Sequence, residues 1–198
     1  MILGGGGVGA GGGLAGGLEG SSVSWRTVKA RKAEAKRAAR SRNPDRAWRR
    51  IGMRRLKKTL NRPNLKCLRV TYGEVQRSLI RNPCRSLDQM LFPIADGQGN
   101  TALVSVAWVR FRTNGDRRRF QKVIDVYGTG DIKPQGASVL GFEGIRFTGR
   151  YYGSVPRGAR LTVAEAEAVK GTFDPKVLDG FAEIAAEIPN PWRTRRRR

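Results

Sequence analysis

The sequence predicts a β-rich α+β fold. Its antiparallel β core, for which a sandwich or jelly-roll is one arrangement, follows a basic N-terminal arm and helix and precedes two short C-terminal helices. Bulky apolar residues are concentrated between residues 65 and 188, an Asn-Gly dipeptide separates two strand-like segments, and helix-capping patterns occur at Thr162 and Asp174. We divide the chain into a glycine-rich leader (1–23), a basic arm with an amphipathic helix (24–62), a β-rich core with C-terminal helices (63–190) and an arginine-rich tail (191–198).

Positive charge dominates the composition. The 198 residues contain 39 Lys or Arg against 16 Asp or Glu, a formal net charge of +23, and no histidine. Residues 26–69 alone hold 18 Lys or Arg and two acids, and five arginines occupy the last eight positions. Such an excess opposes compaction unless a polyanion neutralises it, and nucleic acid releases condensed counterions when its phosphates are neutralised. The charge pattern therefore predicts a nucleic-acid partner.

The leader is predicted to be flexible, because eleven of its first 20 residues are glycine. Residues 7–12 match the dinucleotide-binding pattern of three spaced glycines, but no strand precedes them and no acid follows at the required distance. We therefore predict no dinucleotide site. Residues 21–42 weakly resemble a mitochondrial transit segment, and the glycine tract before them argues against import.

The arm begins with a segment that is expected to be ordered mainly by a polyanion. Residues 24–42 are good helix formers but are almost all polar or Ala. Such a segment is helical on a polyanion and frayed in water.

A sharper amphipathic helix is predicted from Asn43 to the residue before Pro63, with Asn43 as the cap and Pro44 in the first position. Its narrow apolar stripe contains Trp48, Ile51, Leu56, Thr59 and Leu60. Its broad basic face, which we predict to bind phosphates, contains Arg46, Arg49, Arg50, Arg54, Arg55, Lys57 and Lys58. The alternative is a solvated basic face without a ligand.

The core is predicted to be mostly extended. Residues 65–95 have strand-like composition interrupted by glycine and proline, and the clearest strand is Thr101–Thr113. Asn114-Gly115 follows it and is the strongest short hairpin signal. We predict a returning strand over residues 116–127 and further β-like segments at residues 137–142 and 144–152.

A two-residue turn at Asn114-Gly115 would set the pairing of the predicted hairpin. One of its faces would then be apolar, and the other would carry an exposed Trp108 and two opposed pairs, Arg110 with Arg119 and Arg112 with Arg117. Opposed like charges destabilise a ladder, whereas Arg and Trp bind phosphates and stack on bases. We predict a nucleic-acid contact here; the alternative is a solvated tip that prevents edge aggregation.

Two short helices are predicted near the C-terminus. Thr162 and Glu165 form a capping-box pattern for the first helix, to about Lys170, and Asp174-Pro175 starts the second. Residues 161–190 carry two lysines and six acids, the one acidic region of the chain. We expect this region to face away from the polyanion or to contact a basic surface of a neighbouring molecule.

We predict no enzymatic activity, no metal site and no cofactor. The absence of histidine removes the commonest general base. Cys67 and Cys84 cannot complete a tetrahedral zinc site and are predicted to be reduced core thiols. The carboxylates near the strands have no recognisable metal-binding spacing: Asp88, Asp96, Asp125, Asp131 and Glu143.

The preferred function is that of a non-enzymatic nucleic-acid-binding structural protein, namely a genome-packaging coat or capsid-type protein with a basic arm. The alternatives are a ribosomal or other ribonucleoprotein component and a plasmid or phage DNA-binding accessory protein. RNA or single-stranded DNA is favoured over specific duplex DNA, together with self-association or ribonucleoprotein assembly. Because no run of about 18 apolar residues occurs, we expect no membrane partner.

The expected location is a virion or ribonucleoprotein particle, and otherwise the cytoplasm. The tail contributes the remaining predicted binding residues: Arg195, Arg196, Arg197 and Arg198.

Overall fold

A computed structural model of the chain describes residues 23–41 and 43–192. Its centre is a six-stranded antiparallel sheet in the order β1–β3–β4–β6–β5, with β2 paired to β3 beside β1. The strands are β1 (Arg54–Arg55), β2 (Leu60–Leu65), β3 (Ser86–Ala95), β4 (Thr101–Arg110), β5 (Tyr152–Arg157) and β6 (Arg160–Lys170). The α-helices are α1 (Trp25–Ala39), α2 (Asp45–Arg50), α3 (Gly73–Arg81), α4 (Asn114–Ile124) and α5 (Pro175–Ala185). The predicted β-rich α+β class with an antiparallel core is confirmed.

Helices cover both faces of the sheet. Phe92, Val104 and Ala166 point to the layer formed by α1, α2 and α5, whereas Val109 and Leu161 point to α3 and α4. The sheet therefore lies between two helical layers, and in the described part of the chain no second sheet packs on it. This arrangement explains why the central strands are buried throughout.

The helix α1 is docked on the core, so the expectation that it frays in water was wrong. Val28, Ala35 and Ala39 are fully buried, and the Ser24 hydroxyl caps the helix by accepting a hydrogen bond from the Thr27 N–H. The absence of a side chain at Gly180 lets α5 approach Val28 closely. Ala35 and Ala39, in the segment that was expected to be a weak helix, are buried in the same core cluster as Val28.

The prediction of a long amphipathic helix from Asn43 to the residue before Pro63 was also wrong, because only its first two turns are helical. α2 ends at Arg50, and Gly52 adopts a left-handed φ of 79° that reverses the chain. Residues 60–65 then form the edge strand β2, where Pro63 is tolerated because an edge strand leaves N–H groups unpaired. Trp48 and Ile51 are nevertheless fully buried, as the apolar stripe predicted.

The prediction of a hairpin at Asn114-Gly115 was wrong, because a helix cap overrides the turn signal there. Thr113 accepts a hydrogen bond from the N–H of Asp116, and the Asp116 carboxylate accepts one from the N–H of Thr113. This reciprocal capping box starts α4, so residues 116–124 are helical instead of strand. β4 pairs instead with β3 and β6.

Two further segment predictions were wrong. The segment that begins at Thr162 and Glu165 belongs to β6, an 11-residue strand between β4 and β5, and α5 is the one described helix after it. Residues 73–81, predicted to be extended, form α3. At β6 tertiary packing overrides the local pattern, since six consecutive residues are buried by helices on the two faces. In α3 the buried residues Val75, Ser78 and Leu79 have helical spacing. The start of α5 at Asp174-Pro175 is confirmed.

The loop between α4 and β5 replaces most of the strands predicted for residues 137–152. It contains a short 3-10 turn, Ser138–Leu140, and the next strand begins only at Tyr152. Glycines at positions 136, 141, 144 and 149 adopt positive φ and prevent a regular ladder.

The two cysteines are paired as a disulfide, and the prediction of reduced core thiols was therefore wrong. Cys67 precedes α3 and Cys84 follows it, with their Cα atoms 6.5 Å apart. The bridge closes a loop of 17 residues that contains α3.

Candidate nucleic-acid interface

One end of the sheet carries three arginines in a row across adjacent strands. Arg110, the last residue of β4, pairs with Arg160, the first residue of β6, and Arg160 pairs with Arg157 of β5. Directly opposed residues on an antiparallel ladder share a face, with Cβ atoms about 4.5–5.5 Å apart. Three guanidinium groups therefore emerge from one face at one end of the sheet.

Two more arginines lie at this end. The Arg85 N–H donates a hydrogen bond to the Arg110 carbonyl oxygen at 2.6 Å. The Phe111 N–H donates to the carbonyl oxygen of Ala159 in the β5–β6 turn at 2.9 Å, which places the neighbouring Arg112 beside that turn. We call the five exposed residues the arginine end: Arg85, Arg110, Arg112, Arg157 and Arg160.

One buried acid neutralises part of this charge. The Glu187 carboxylate accepts hydrogen bonds from Arg157 at 2.7 Å and from Arg40, at the end of α1, at 2.6 and 2.8 Å. The hydrogen bond from Arg40 is the main reason that the pKa of Glu187 is lower than usual. A single carboxylate thus serves two guanidinium groups and joins α1 to the arginine end.

Arg110 and Arg160 have no ion-pair partner among the described residues. Opposed like charges of this kind destabilise a ladder by roughly 0.2–1 kcal/mol. An oxyanion between the two guanidinium groups would remove the repulsion and accept charge-assisted hydrogen bonds from both. Chemically, this pair is suited to bind a phosphate.

The outer face of α1 is a second basic surface. Arg26, Lys29 and Arg37 are exposed on the side opposite Val28 and Ala35, as the helical repeat requires.

The flank of α1 meets the acidic segment of the same chain. Lys32 and Lys36 each bind a different oxygen of Glu183 in α5, at 2.9 and 2.7 Å. Together with Glu187, Glu183 makes this segment the counter-charge for α1. The sequence predicts that this segment faces away from the polyanion or contacts a basic surface of a neighbouring molecule. In the structure the basic surface that it contacts is α1 of the same chain.

The residues of the predicted basic helix are dispersed over several elements. Arg50 pairs with Glu34 of α1 across the helix contact. The other exposed members of the set lie on α2, on β1 and in the loop before β2: Arg46, Arg49, Arg54, Lys57 and Lys58.

Arg55 does not belong to an exposed basic face. Its guanidinium donates hydrogen bonds to Asp45 at 3.3 Å and Thr59 at 2.9 Å and lies 4.3 Å from the centre of the Phe92 ring. Burial lowers its pKa, against the charge of Asp45. Arg55 holds α2, the loop after β1 and the sheet together.

The residues of the predicted hairpin patch are also divided. Trp108, expected to be exposed, is buried: its indole N–H donates to the Ile188 carbonyl oxygen at 2.8 Å, and Trp192 packs edge-on against its ring. Arg117 and Arg119 lie on α4, where they bind Gly158 and Asn82 respectively. Arg110 and Arg112 remain at the sheet end, and the tail arginines lie outside the described residues, as do residues 1–22 of the leader.

Sequence reasoning missed Arg85, Arg157 and Arg160. The signal for the last two was the Arg157-Gly158-Ala159-Arg160 sequence, in which a two-residue turn brings the flanking arginines opposite each other. This signal was hidden because Thr162 was assigned to a helix cap and not to a strand.

Within residues 23–41 and 43–192, no group of three or more His, Cys, Asp or Glu side chains is placed to hold a metal ion. In the same ranges, no helix is long and apolar enough to cross a membrane.

Comparisons with protein-family models, with curated proteins and with solved structures found no match to this chain.

Proposed function

We propose that this chain is a non-enzymatic nucleic-acid-binding protein that holds the phosphate backbone at the arginine end. The observation that carries this proposal is the register of Arg110, Arg160 and Arg157 on adjacent strands, in which two guanidinium groups have no acidic partner among the described residues. The planar guanidinium group binds phosphate oxygens in bidentate fashion, and the rigid ladder fixes the spacing between the groups.

The outer face of α1 extends the same contact. Arg40 at its end shares Glu187 with Arg157, so Arg26, Lys29 and Arg37 continue a basic path from the arginine end along the helix. Contacts of this type neutralise phosphates without reading base edges, which favours flexible RNA or single-stranded DNA over a specific duplex sequence.

Arginine footprinting tests where the nucleic acid binds. The protein is treated with phenylglyoxal with and without a single-stranded oligonucleotide, and modified positions are identified by mass spectrometry. We expect Arg110 and Arg160 to be protected, and Arg77, which is paired with Glu74 on α3, to react equally in both samples. Equal modification of Arg110 and Arg160 in both samples would argue against the proposal.

Particle size separates the two assemblies in which such a protein would act. Light scattering on a size-exclusion column would reveal a large uniform nucleoprotein particle for a coat protein and a small complex for a ribonucleoprotein component. The coat-protein hypothesis combined a basic arm with a β core, for which a sandwich or jelly-roll was one arrangement, whereas the described strands form one sheet covered by helices. We therefore favour the small complex.

A further inference from the structure

A cavity lies beneath the loop between α4 and β5, on the side of the sheet covered by α3 and α4. Two adjoining parts of it have volumes of about 340 and 290 Å³, and Tyr72 and Asp131 line both. The first part lies within the size range of small-molecule sites in proteins. The first part is lined by Tyr127, Tyr152 and Arg150, and the second by Phe147, Lys133, Arg146 and Glu165.

Close glycine contacts build the wall of this cavity. Gly73 and Gly130 adopt φ of 64° and 104°, and a Cβ atom on Gly73 would lie 2.6 Å from the Thr129 carbonyl oxygen. A Cβ atom on Gly149 would lie 2.8 Å from a carboxylate oxygen of Asp131. The loop can therefore cover Asp131 and hold it beside Tyr72 only because these positions lack side chains.

Two buried carboxyl groups meet at the floor of the cavity. Asp131 accepts a hydrogen bond from the Ile132 N–H at 2.7 Å, and Glu165 accepts one from the Gly149 N–H at 3.0 Å. Burial raises the pKa of Asp131 to about 6, and burial followed by the charge of Asp131 raises the pKa of Glu165. The two carboxyl groups lie close enough to share a proton, which occupies the hydrogen bond between them and leaves their remaining lone pairs as acceptors at the floor.

Aromatic side chains at the mouth of the cavity are left exposed. Tyr127 is 70% exposed and Tyr72 is 38% exposed, beside an exposed Val126. Lys133 lies 5.3 Å from the centre of the Tyr72 ring. Exposed aromatic rings beside a polar cavity and basic side chains are suited to stack on a planar ligand that carries negative charge.

We propose that this cavity binds an unstacked nucleobase whose edge carries two adjacent N–H donors, as the Watson–Crick edge of guanine does, with its phosphate held by Lys133, Arg146 or Arg150. The base stacks on Tyr72 and Tyr127, and its edge pairs with the carboxyl groups of Asp131 and Glu165. Splayed bases of single strands are recognised in this way, by stacking and by hydrogen bonds to the Watson–Crick edge. The inference extends the proposed function, because the arginine end would hold the backbone of the same strand.

Isothermal titration with the four free ribonucleoside monophosphates tests this site separately from backbone binding. We expect GMP to bind at least tenfold more tightly than AMP, CMP or UMP, since a well-placed pair of hydrogen bonds discriminates bases by about this factor or more. Equal affinities for the four nucleotides, or no binding of any of them, would overturn the proposal.

Two variants locate the nucleotide in the cavity. Tyr127→Ala removes an exposed stacking ring with little risk to folding and should weaken GMP binding at least fivefold. The control variant Ile80→Ala shortens a 62% exposed side chain on α3 that does not line the cavity, and it should leave GMP binding unchanged. Equal GMP affinities of the Tyr127→Ala variant and the wild type would place the nucleotide elsewhere.

The chemistry of the floor is tested by Glu165→Gln. This change keeps the volume of the side chain and replaces a carboxyl group by an amide, so the preference for GMP over AMP should fall at least fivefold. If circular dichroism shows that the Glu165→Gln variant does not fold, the comparison of Tyr127→Ala with the wild type still tests whether GMP binds in the cavity.

A double variant at the arginine end separates the two proposals. Arg110→Ser/Arg160→Ser should weaken binding of an oligonucleotide and leave GMP affinity unchanged. If the variant loses GMP affinity as well, the base pocket is not an independent site. If oligonucleotide binding is unaffected while GMP preference holds, the backbone proposal fails and the pocket stands.

Discussion

Arg40 donates hydrogen bonds through Nε and Nη2 to the two carboxylate oxygens of Glu187, at 2.8 and 2.6 Å, and thereby joins the end of α1 to the end of α5. Arg157 of β5 donates to the same carboxylate at 2.7 Å. One buried acid thus ties a helix, a strand and the segment after another helix together at the arginine end. The fold of the basic arm and the position of its charge depend on the same contact.

Glu187→Gln should lower the free energy of unfolding by about 1–3 kcal/mol. The amide cannot accept charge-assisted hydrogen bonds from two guanidinium groups, and these groups then repel each other. Urea unfolding followed by circular dichroism measures the change. Glu143→Gln, at an exposed position, is the control and should change stability by less than about 0.5 kcal/mol. A loss no greater than that of the control would contradict a structural role for Glu187.

Gly130→Ala should be more destabilising than Gly128→Ala. Both residues have positive φ, 104° and 87°, so both substitutions introduce backbone strain of about 1 kcal/mol. Only the Gly130 substitution also drives a Cβ atom into the Tyr72 carbonyl group, whereas the position next to Gly128 is open. We expect the free energy of unfolding of Gly130→Ala to be about 1–3 kcal/mol lower than that of Gly128→Ala, as measured by thermal or urea unfolding. Equal losses for the two variants would indicate that the loop does not pack on Tyr72 in this way.

Reduction of the Cys67–Cys84 disulfide should lower the free energy of unfolding by about 3 kcal/mol, because the bridge closes a loop of 17 residues in the unfolded chain. Urea unfolding with and without a reductant measures this loss. The double variant Cys67→Ser/Cys84→Ser should unfold like the reduced protein and should no longer respond to the reductant. Identical unfolding of oxidised and reduced wild type would show that the bridge does not stabilise the fold.

Asp131→Asn should change the pH dependence of stability. The pKa of Asp131 is raised in the folded protein to about 6, so between about pH 4 and 6 the folded state binds more protons than the unfolded state. The wild type should therefore gain stability relative to Asp131→Asn as the pH falls from 7 to 4, by about 1–3 kcal/mol. Urea unfolding at several pH values gives the difference. A constant difference over that range would contradict the buried, protonated carboxyl group.

The predictions from sequence were right where one local signal and the tertiary packing agreed. β4 and the start of α5 have clear patterns, and Trp48 and Ile51 were recognised as core residues. They were wrong where a local signal was opposed by a second local signal or by tertiary packing. At Thr113 a capping box overrides an Asn-Gly turn, and at Thr162 a capping-box pattern is overridden by pairing with β4 and β5, which is not visible in the local sequence.

The candidate site was only partly predictable for the same reason. Arg110 and Arg112 were identified by a hairpin that does not form. Arg160 of β6, which lies opposite Arg110, and Arg157 of β5, which lies opposite Arg160, are both more than 45 positions away from Arg110 in sequence. A non-local register of this kind cannot be read from composition. The alanine-rich segment of α1 was expected to be a weak helix because α5, the helix it packs against, lies far along the chain.

The most direct test of the central claim is the salt dependence of oligonucleotide binding by Arg110→Ser/Arg160→Ser. The control is Lys170→Ser/Lys176→Ser, which removes the same charge at the other end of β6 and at the start of α5. Fluorescence anisotropy with a labelled single strand gives the slope of log affinity against log salt. If these arginines bind phosphates, the slope should fall by about 1.4 in the arginine variant, roughly 0.7 per lost contact, and should stay near the wild-type value in the control. Equal slopes in the two variants would contradict binding at the arginine end.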